Sequence, residues 1–145
     1  MSFDRAGFQS NANVSRETME RLDIYADLLR SWTKRINLVS NKTLPMLWQR
    51  HFLDSAQLFP FVTEGLWLDV GSGGGFPGAV IAIMSPDTPV TLVESDQRKA
   101  AFLRTVARET GVGFQVKAER MEALPPAQAN RFSARALAPL TELLS

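Results

Sequence analysis

The sequence predicts an α/β fold: a parallel sheet with flanking helices, preceded by a helical cap. Three observations carry that expectation. An apolar run, Leu66-Trp67-Leu68-Asp69-Val70, leads into residues 71–78, where five glycines stand within eight positions. A β-branched run, Val90-Thr91-Leu92-Val93, closes on an acid, Glu94, about 20 residues beyond the loop. After Pro60, strand-length apolar stretches alternate with helical ones, as in successive βα units.

The elements follow in order. Residues 15 to 36 repeat apolar positions at helical spacing through Leu22, Tyr25, Leu28, Leu29, Trp32 and Ile36, which predicts an amphipathic helix. A second helical piece is expected from Pro45, at a first-turn position that proline tolerates. It carries Leu47, Trp48, Phe52 and Leu58 before Pro60 stops it. Residues 1–60 are thus expected to form an N-terminal helical cap and residues 61–145 the α/β part of one domain. Trp32, Trp48 and Trp67 are read as packing residues. Strands are expected near 66–70, 90–94, 114–118 and 132–137, with helices between them. The helix from Asp96 to about Thr110 has Ser95 or Asp96 as its cap, a core stripe of Phe102, Leu103, Val106 and Ala107, and Gly111 as its stop. Right-handed crossovers make the sheet parallel and put a ligand crevice at the strand C-termini. Pro125-Pro126-Ala127-Gln128-Ala129-Asn130 reads as a loop.

Composition bounds the function. The chain has 145 residues, 45% of them hydrophobic, which suits one globular domain. No run approaches the roughly 20 apolar residues that span a bilayer, and no signal peptide opens the chain, so a cytoplasmic location and no membrane partner are expected. With no cysteine, disulfides, thiol catalysis and thiolate metal sites are excluded, and one histidine argues against a metal centre. The net charge of +1 announces no nucleic-acid partner in bulk, so any RNA contact must be local. The densest basic stretch, Arg98, Lys99, Arg104 and Arg108, falls on one helix; it is either a solvated face or an RNA-binding patch.

The glycine loop selects among ligands. A dinucleotide fingerprint, G-x-G-x-x-G from Gly71 and Gly73, would need glycine where Phe76 stands. Asp69, Gly71, Gly73 and Gly75 instead fit D-x-G-x-G-x-G, which resembles motif I of S-adenosylmethionine-dependent methyltransferases with a Rossmann-like fold. Backbone amides there can take the cofactor carboxylate, and a nearby acid such as Asp69 favours its cationic end. Glu94 is placed to accept the ribose hydroxyls, or else is a helix-capping or surface acid. A hydrolase elbow, G-x-S-x-G around Ser72, fails because Val70 occupies its first glycine position.

Further stretches narrow the resemblance: Ile36-Asn37-Leu38-Val39-Ser40, Arg50-His51-Phe52-Leu53-Asp54-Ser55, Phe76-Pro77-Gly78, Arg98-Lys99-Ala100-Ala101-Phe102-Leu103-Arg104 and Ala134-Arg135-Ala136-Leu137-Ala138-Pro139-Leu140. From about residue 22 to its end the chain resembles the glucose-inhibited division protein B (GidB) family, bacterial enzymes that make 7-methylguanosine in 16S ribosomal RNA of the small subunit. The resemblance implies cofactor contacts at Gly71, Phe76, Met121, Glu122 and Arg135, beside Gly73, Gly75 and Glu94 of the loop and second strand. Phe76 is expected to pack against the cofactor, while Met121 is either a backbone contact for the adenine edge or core filling. Arg135, in an apolar stretch, needs a partner: the cofactor, the target guanine, or an ion pair with Asp69 or Glu94. His51 and Asp54 share a helical face beside Arg50; Arg50, His51, Arg98 and Lys99 are the candidate RNA contacts, with helix packing the other reading of His51.

Guanine N7 carries a lone pair and no proton, so no catalytic base is expected, and catalysis rests on placement, with Arg135 as a positioning candidate. The family's fold continues for about 60 further residues and three more strands. The C-terminal strands are therefore expected to be missing and the fourth strand to be an exposed edge that favours a homodimer. Two other classes stay open: a non-catalytic fragment that binds S-adenosylmethionine or a protein partner, and an NAD-dependent oxidoreductase.

Overall fold

In the computed structural model, residues 5–40, 42–57, 66–70, 74–118 and 129–133 are described, with 66–70 and 129–133 as backbone. The sheet has four parallel strands, β1 (Leu66–Val70), β2 (Val90–Val93), β3 (Gln115–Lys117) and β4 (Ala129–Ser133), in the spatial order β3-β2-β1-β4. The first three strands step in one direction and β4 returns to the other side of β1, so the order reverses between β1 and β4. In open parallel sheets that reversal leaves a crevice at the strand C-termini, because the connections on its two sides diverge.

β2 is buried at all four positions, as its apolar, β-branched sequence requires of a strand covered on both faces. β3 is an exposed–intermediate–exposed strand, polar at Gln115 and Lys117. β4 corrects the sequence reading at its start, which is Ala129, inside the expected loop; the expected positions 134–137 lie outside the described residues. The apolar Ala134–Leu140 stretch drew the expectation downstream. Pairing with β1, in a register that shifts between Leu66 and Trp67, also takes in the more polar residues before it.

The cap holds one helix that periodicity did not reveal, α1 (Arg5–Ala12). Its buried residue is Phe8, whose ring sits 5.4 Å from Trp48 and 6.3 Å from Phe52. A helix anchored through one aromatic leaves no repeating signal. Arg5 grips Asp23 with two hydrogen bonds, of 2.6 and 2.8 Å, but both side chains are well exposed and the pair contributes modestly. The Asp23 carboxylate raises the Arg5 guanidinium pKa further.

Helix α2 (Arg16–Thr33) begins where the Ser15 hydroxyl accepts the Thr18 amide at 3.2 Å. It buries Met19, Leu22, Tyr25, Ala26 and Leu29 as one stripe. It ends three residues before the predicted limit, and the Ile36 amide reaches back to the Trp32 carbonyl at 3.0 Å in the turn that follows. The second helical piece is a composite: a 3₁₀ turn at Leu44–Met46 with Pro45 in its first turn, a π-helix at Trp48–Leu53, and one α-turn, α3 (Asp54–Ala56). Leu58 and Pro60 lie outside the described residues. The wide π-turn lets the consecutive residues His51 and Phe52 both face inward, a geometry frequent near functional sites.

Helix α4 (Gly78–Met84) is buried from Gly78 to Ile83, packed on the sheet at β1 and β2 and covered by α2 and α3. A helix apolar all round has no solvent face to offer. Helix α5 (Gln97–Thr110) is amphipathic, burying Ala100, Phe102, Leu103 and Val106 against α2 and β3. Trp32 meets Phe102 edge-on at 5.5 Å, and Trp48 is buried, as expected of packing residues; the Trp67 side chain is not among those described. Gly111 stops α5 in the left-handed region at φ 73°, and its amide donates to Ala107 at 3.0 Å.

Asp96 is the cap of α5, accepting the Arg98 amide at 2.9 Å and the Lys99 amide at 3.3 Å. The Lys99 amide first, then the Arg98 amide, hold its carboxyl below the ordinary value of 3.8. A carboxyl depressed by folding stabilises above its unfolded value, and that contribution is lost as pH falls through the folded one. Asp96→Asn keeps a capping oxygen without the charge. It is expected to melt slightly below wild type near neutrality, where the charged carboxyl contributes, and to converge on wild type below about pH 4, having no such contribution to lose. Melting curves across that range check this; an unchanged acid limb would contradict it.

Candidate functional site

The C-terminal ends of the four strands share one sheet edge. Val70 pairs with Val93, Val93 with Lys117, and Asp69 with Ser133. The chain therefore leaves β1 toward the glycine loop at the level where β2 ends in Glu94, on the neighbouring strand and beside the reversal of strand order.

Glu94 is 7% exposed. Its amide donates to the Lys117 carbonyl at 2.9 Å, extending the β2–β3 ladder, and its Oε2 accepts the Asp96 amide at 2.8 Å. A carboxylate gripped by its own main chain two residues on is oriented before any ligand arrives. It is neither a surface acid nor the cap of α5, which is Asp96.

Of the loop, Gly71 and Gly73 lie outside the described residues, as do Met121, Glu122 and Arg135. The Asp69 side chain is likewise not described. Gly74 and Gly75 are buried. Gly75 has φ 100°, and a Cβ there would strike the Tyr25 hydroxyl and lie 3.0 Å from the Ala79 Cβ and 3.1 Å from a Leu103 methyl. Its glycine character thus answers to a positive φ and to packing inside the protein. Gly74 is pressed by the Leu38 carbonyl, 3.2 Å from where its Cβ would stand.

Phe76 is 4% exposed, and its ring lies in an aromatic cluster of the cap. His51 stacks on it at 4.7 Å, Tyr25 at 5.7 Å, and Phe52 tilts against it at 6.0 Å. The ring expected to pack on a cofactor is thus engaged by His51, Tyr25 and Phe52. The bond from Phe76 to Pro77 is cis.

The candidate RNA contacts separate. Arg50 and Arg98 are exposed, the latter with Asp96 at 3.9 Å, and Lys99 is partly buried at the start of α5. His51 instead turns inward, hydrogen-bonded through Nε2 to the Thr43 hydroxyl at 3.0 Å while it stacks on Phe76. The packing reading of His51 is the one its geometry matches. Arg104 also has an internal role, donating to the Val116 carbonyl of β3 at 3.3 Å. His51→Ala is therefore expected to lower the melting temperature, since an aromatic stack contributes roughly 0.5–1.5 kcal/mol. Affinity for S-adenosylmethionine, the ligand the sequence leads one to expect, should stay within about two-fold of wild type, because the missing ring faces the cap; calorimetry beside a thermal melt checks both.

Tyr25 is the residue that sequence reading passed over. It appears there as one member of the α2 stripe, yet its hydroxyl donates to the carbonyl of Gly74. The available signal was its identity: the chain's one tyrosine in a stripe that leucine could fill, and a buried phenol needs a partner.

Among the described residues no group of three potential ligands could hold a metal ion, and no helix is long and apolar enough to cross a membrane.

Comparison with known proteins adds a family. A family model described as GidB, rRNA small subunit methyltransferase G, matches residues 18–145. A protein of Ruegeria pomeroyi named ribosomal RNA small subunit methyltransferase G is 56% identical over 137 residues, covering 91% of this chain and 67% of the relative. Proteins of the same name from Parvibaculum lavamentivorans and Rhodospirillum centenum are 55% and 52% identical, covering 97% and 99% of this chain and 65% and 67% of the relatives. The chain spans about two thirds of the length of these relatives.

Proposed function

Since the chain belongs to the rRNA small subunit methyltransferase G family, we propose that it serves S-adenosylmethionine-dependent methylation of N7 of a guanine in 16S ribosomal RNA, on a Rossmann-like methyltransferase fold. The observation that carries this is Glu94: a nearly buried, pre-oriented carboxylate at the tip of β2, whose last residue pairs with Val70, the residue of β1 from which the glycine loop follows in sequence. That pairing fits a ribose whose hydroxyls need an acceptor and whose other end lies over the turn.

In this reading Gly71, Gly73, Gly75, Phe76, Glu94, Met121, Glu122 and Arg135 surround the cofactor. Phe76 takes part through its backbone, since its ring is engaged by Tyr25 and His51. When bound, S-adenosylmethionine supplies an electrophilic methyl group, which guanine N7 accepts without prior loss of a proton. The protein's task is then orientation and exclusion of water rather than proton transfer. Arg135 is the candidate for holding the reacting groups in line, and the exposed Arg50 and Arg98, with Lys99, for meeting RNA phosphates.

The test is transfer of a labelled methyl group from S-adenosylmethionine to small ribosomal subunits lacking the modification, and to the naked RNA. Incorporation at a guanine N7 supports the reading. Cofactor binding with no transfer to either substrate moves the chain to the class of non-catalytic binders, and binding of NAD in place of S-adenosylmethionine removes the methyltransferase reading.

A further inference from the structure

The cap and the glycine loop meet at a buried polar contact between Tyr25 and Gly74. Tyr25 is fully buried midway along α2, its ring 5.2 Å from Phe52, 5.7 Å from Phe76 and 6.4 Å from Phe102. From that setting its hydroxyl donates to the Gly74 carbonyl. Gly75 follows at φ 100° with its α-carbon facing the same hydroxyl. In a trans peptide the carbonyl and the next amide point in opposite directions. A Gly74 carbonyl drawn toward α2 therefore turns the Gly75 N–H to the opposite side of the loop.

Resting on the cofactor reading above, we propose that Tyr25 is a positioning residue: by holding the Gly74 carbonyl inward it presents the Gly75 amide to the carboxylate end of S-adenosylmethionine. Packing alone does not require the hydroxyl, since a phenylalanine would keep all three ring contacts. The hydroxyl makes the loop's peptide orientation a property of the helical cap, and it links α2 to the amino-acid end of the ligand but not to the ribose, which belongs to Glu94.

That division sets the test. Calorimetry compares S-adenosylmethionine with 5′-methylthioadenosine, which keeps the adenine and ribose and lacks the amino-acid end, on wild type, Tyr25→Phe, Glu94→Ala and Leu22→Val. Leu22→Val is a core change on the same helix. Tyr25→Phe is expected to lose roughly ten-fold in affinity for S-adenosylmethionine, the size of effect that follows when one hydrogen bond to a charged carboxylate is misplaced, with little change for 5′-methylthioadenosine. Glu94→Ala should weaken both ligands and Leu22→Val neither. Equal losses for the two ligands in Tyr25→Phe, wild-type affinity for both, or a matching loss in Leu22→Val would overturn the proposal. If wild type binds neither ligand, the cofactor reading falls and this one with it. Because Tyr25 is the chain's one tyrosine, biosynthetic 3-fluorotyrosine gives a second readout that needs no truncation. Its fluorine resonance should shift with S-adenosylmethionine and stay nearly fixed with 5′-methylthioadenosine, and a resonance indifferent to both ligands also overturns it.

Discussion

Glu94→Ala is expected to weaken S-adenosylmethionine binding by roughly 100-fold. Hydrogen bonds to a charged group contribute about 1.5–3 kcal/mol each, and one ribose offers two hydroxyls, so a net loss near 3 kcal/mol is the natural scale. The effect is large because the carboxylate is already oriented: Oε2 is held by the Asp96 amide at 2.8 Å and the side chain is 7% exposed. Little further ordering is needed on binding, and ordering is what usually erodes such contacts. The same substitution strips the Asp96 amide of its acceptor and disturbs the entry to α5, so stability must be separated from recognition. Two comparisons do so. Glu94→Gln keeps an oxygen for Asp96 and should fall between wild type and the alanine variant in affinity while melting near wild type. A cofactor analogue lacking one ribose hydroxyl should bind wild type less well than S-adenosylmethionine does, and Glu94→Ala should no longer tell the two apart. Wild-type affinity in the alanine variant would remove Glu94 from the site, and with it the main support for a ribose-bearing ligand.

What was legible in the sequence follows from how each element is held. β1, β2, α2 and α5 carry their own periodicity or caps, so Leu22, Tyr25 and Leu29 on one face, or Asp96 and Gly111 at two ends, could be read locally. α1 could not, because Phe8 is its one fully buried residue. The π-helix around Arg50-His51-Phe52 could not either, since its wide turn is imposed by packing Trp48, Phe52 and His51 onto Phe8, Tyr25 and Phe76 rather than by any residue's own preference. The start of β4 was missed because pairing with β1, not local hydrophobicity, chooses its register. In the site, Glu94 was legible from the strand it ends. The inward turn of His51 was legible only as one of two readings, and the stacking of Phe76 against it was not, because it depends on a cap that lies far away in sequence and against the loop in space.

Gly75→Ala should be the most disruptive single-methyl change in the described part of the loop. Two independent penalties fall on it. At φ 100° an L side chain is strained by roughly 1–2 kcal/mol, and the new methyl would press on the Tyr25 hydroxyl, the Ala79 Cβ at 3.0 Å and a Leu103 methyl at 3.1 Å. Overpacking of a dense core adds roughly 1–3 kcal/mol. None of the three neighbours can yield cheaply: Tyr25 is enclosed by Phe52, Phe76 and Phe102, Ala79 is helix, and Leu103 is fully buried. Against a typical stability of about 5–15 kcal/mol, a loss of roughly 2–5 kcal/mol should lower the melting temperature by about 10 °C and take cofactor binding with it. The two penalties can be separated. Adding Tyr25→Phe removes the oxygen that the methyl meets but leaves the backbone strain, so the double variant should be less destabilised than the two single changes summed. Strict additivity would show that the hydroxyl and the methyl never meet. A Gly75→Ala protein that melts within about 2 °C of wild type would show that the loop relaxes freely around the new methyl, which the enclosure of Tyr25, Ala79 and Leu103 argues against.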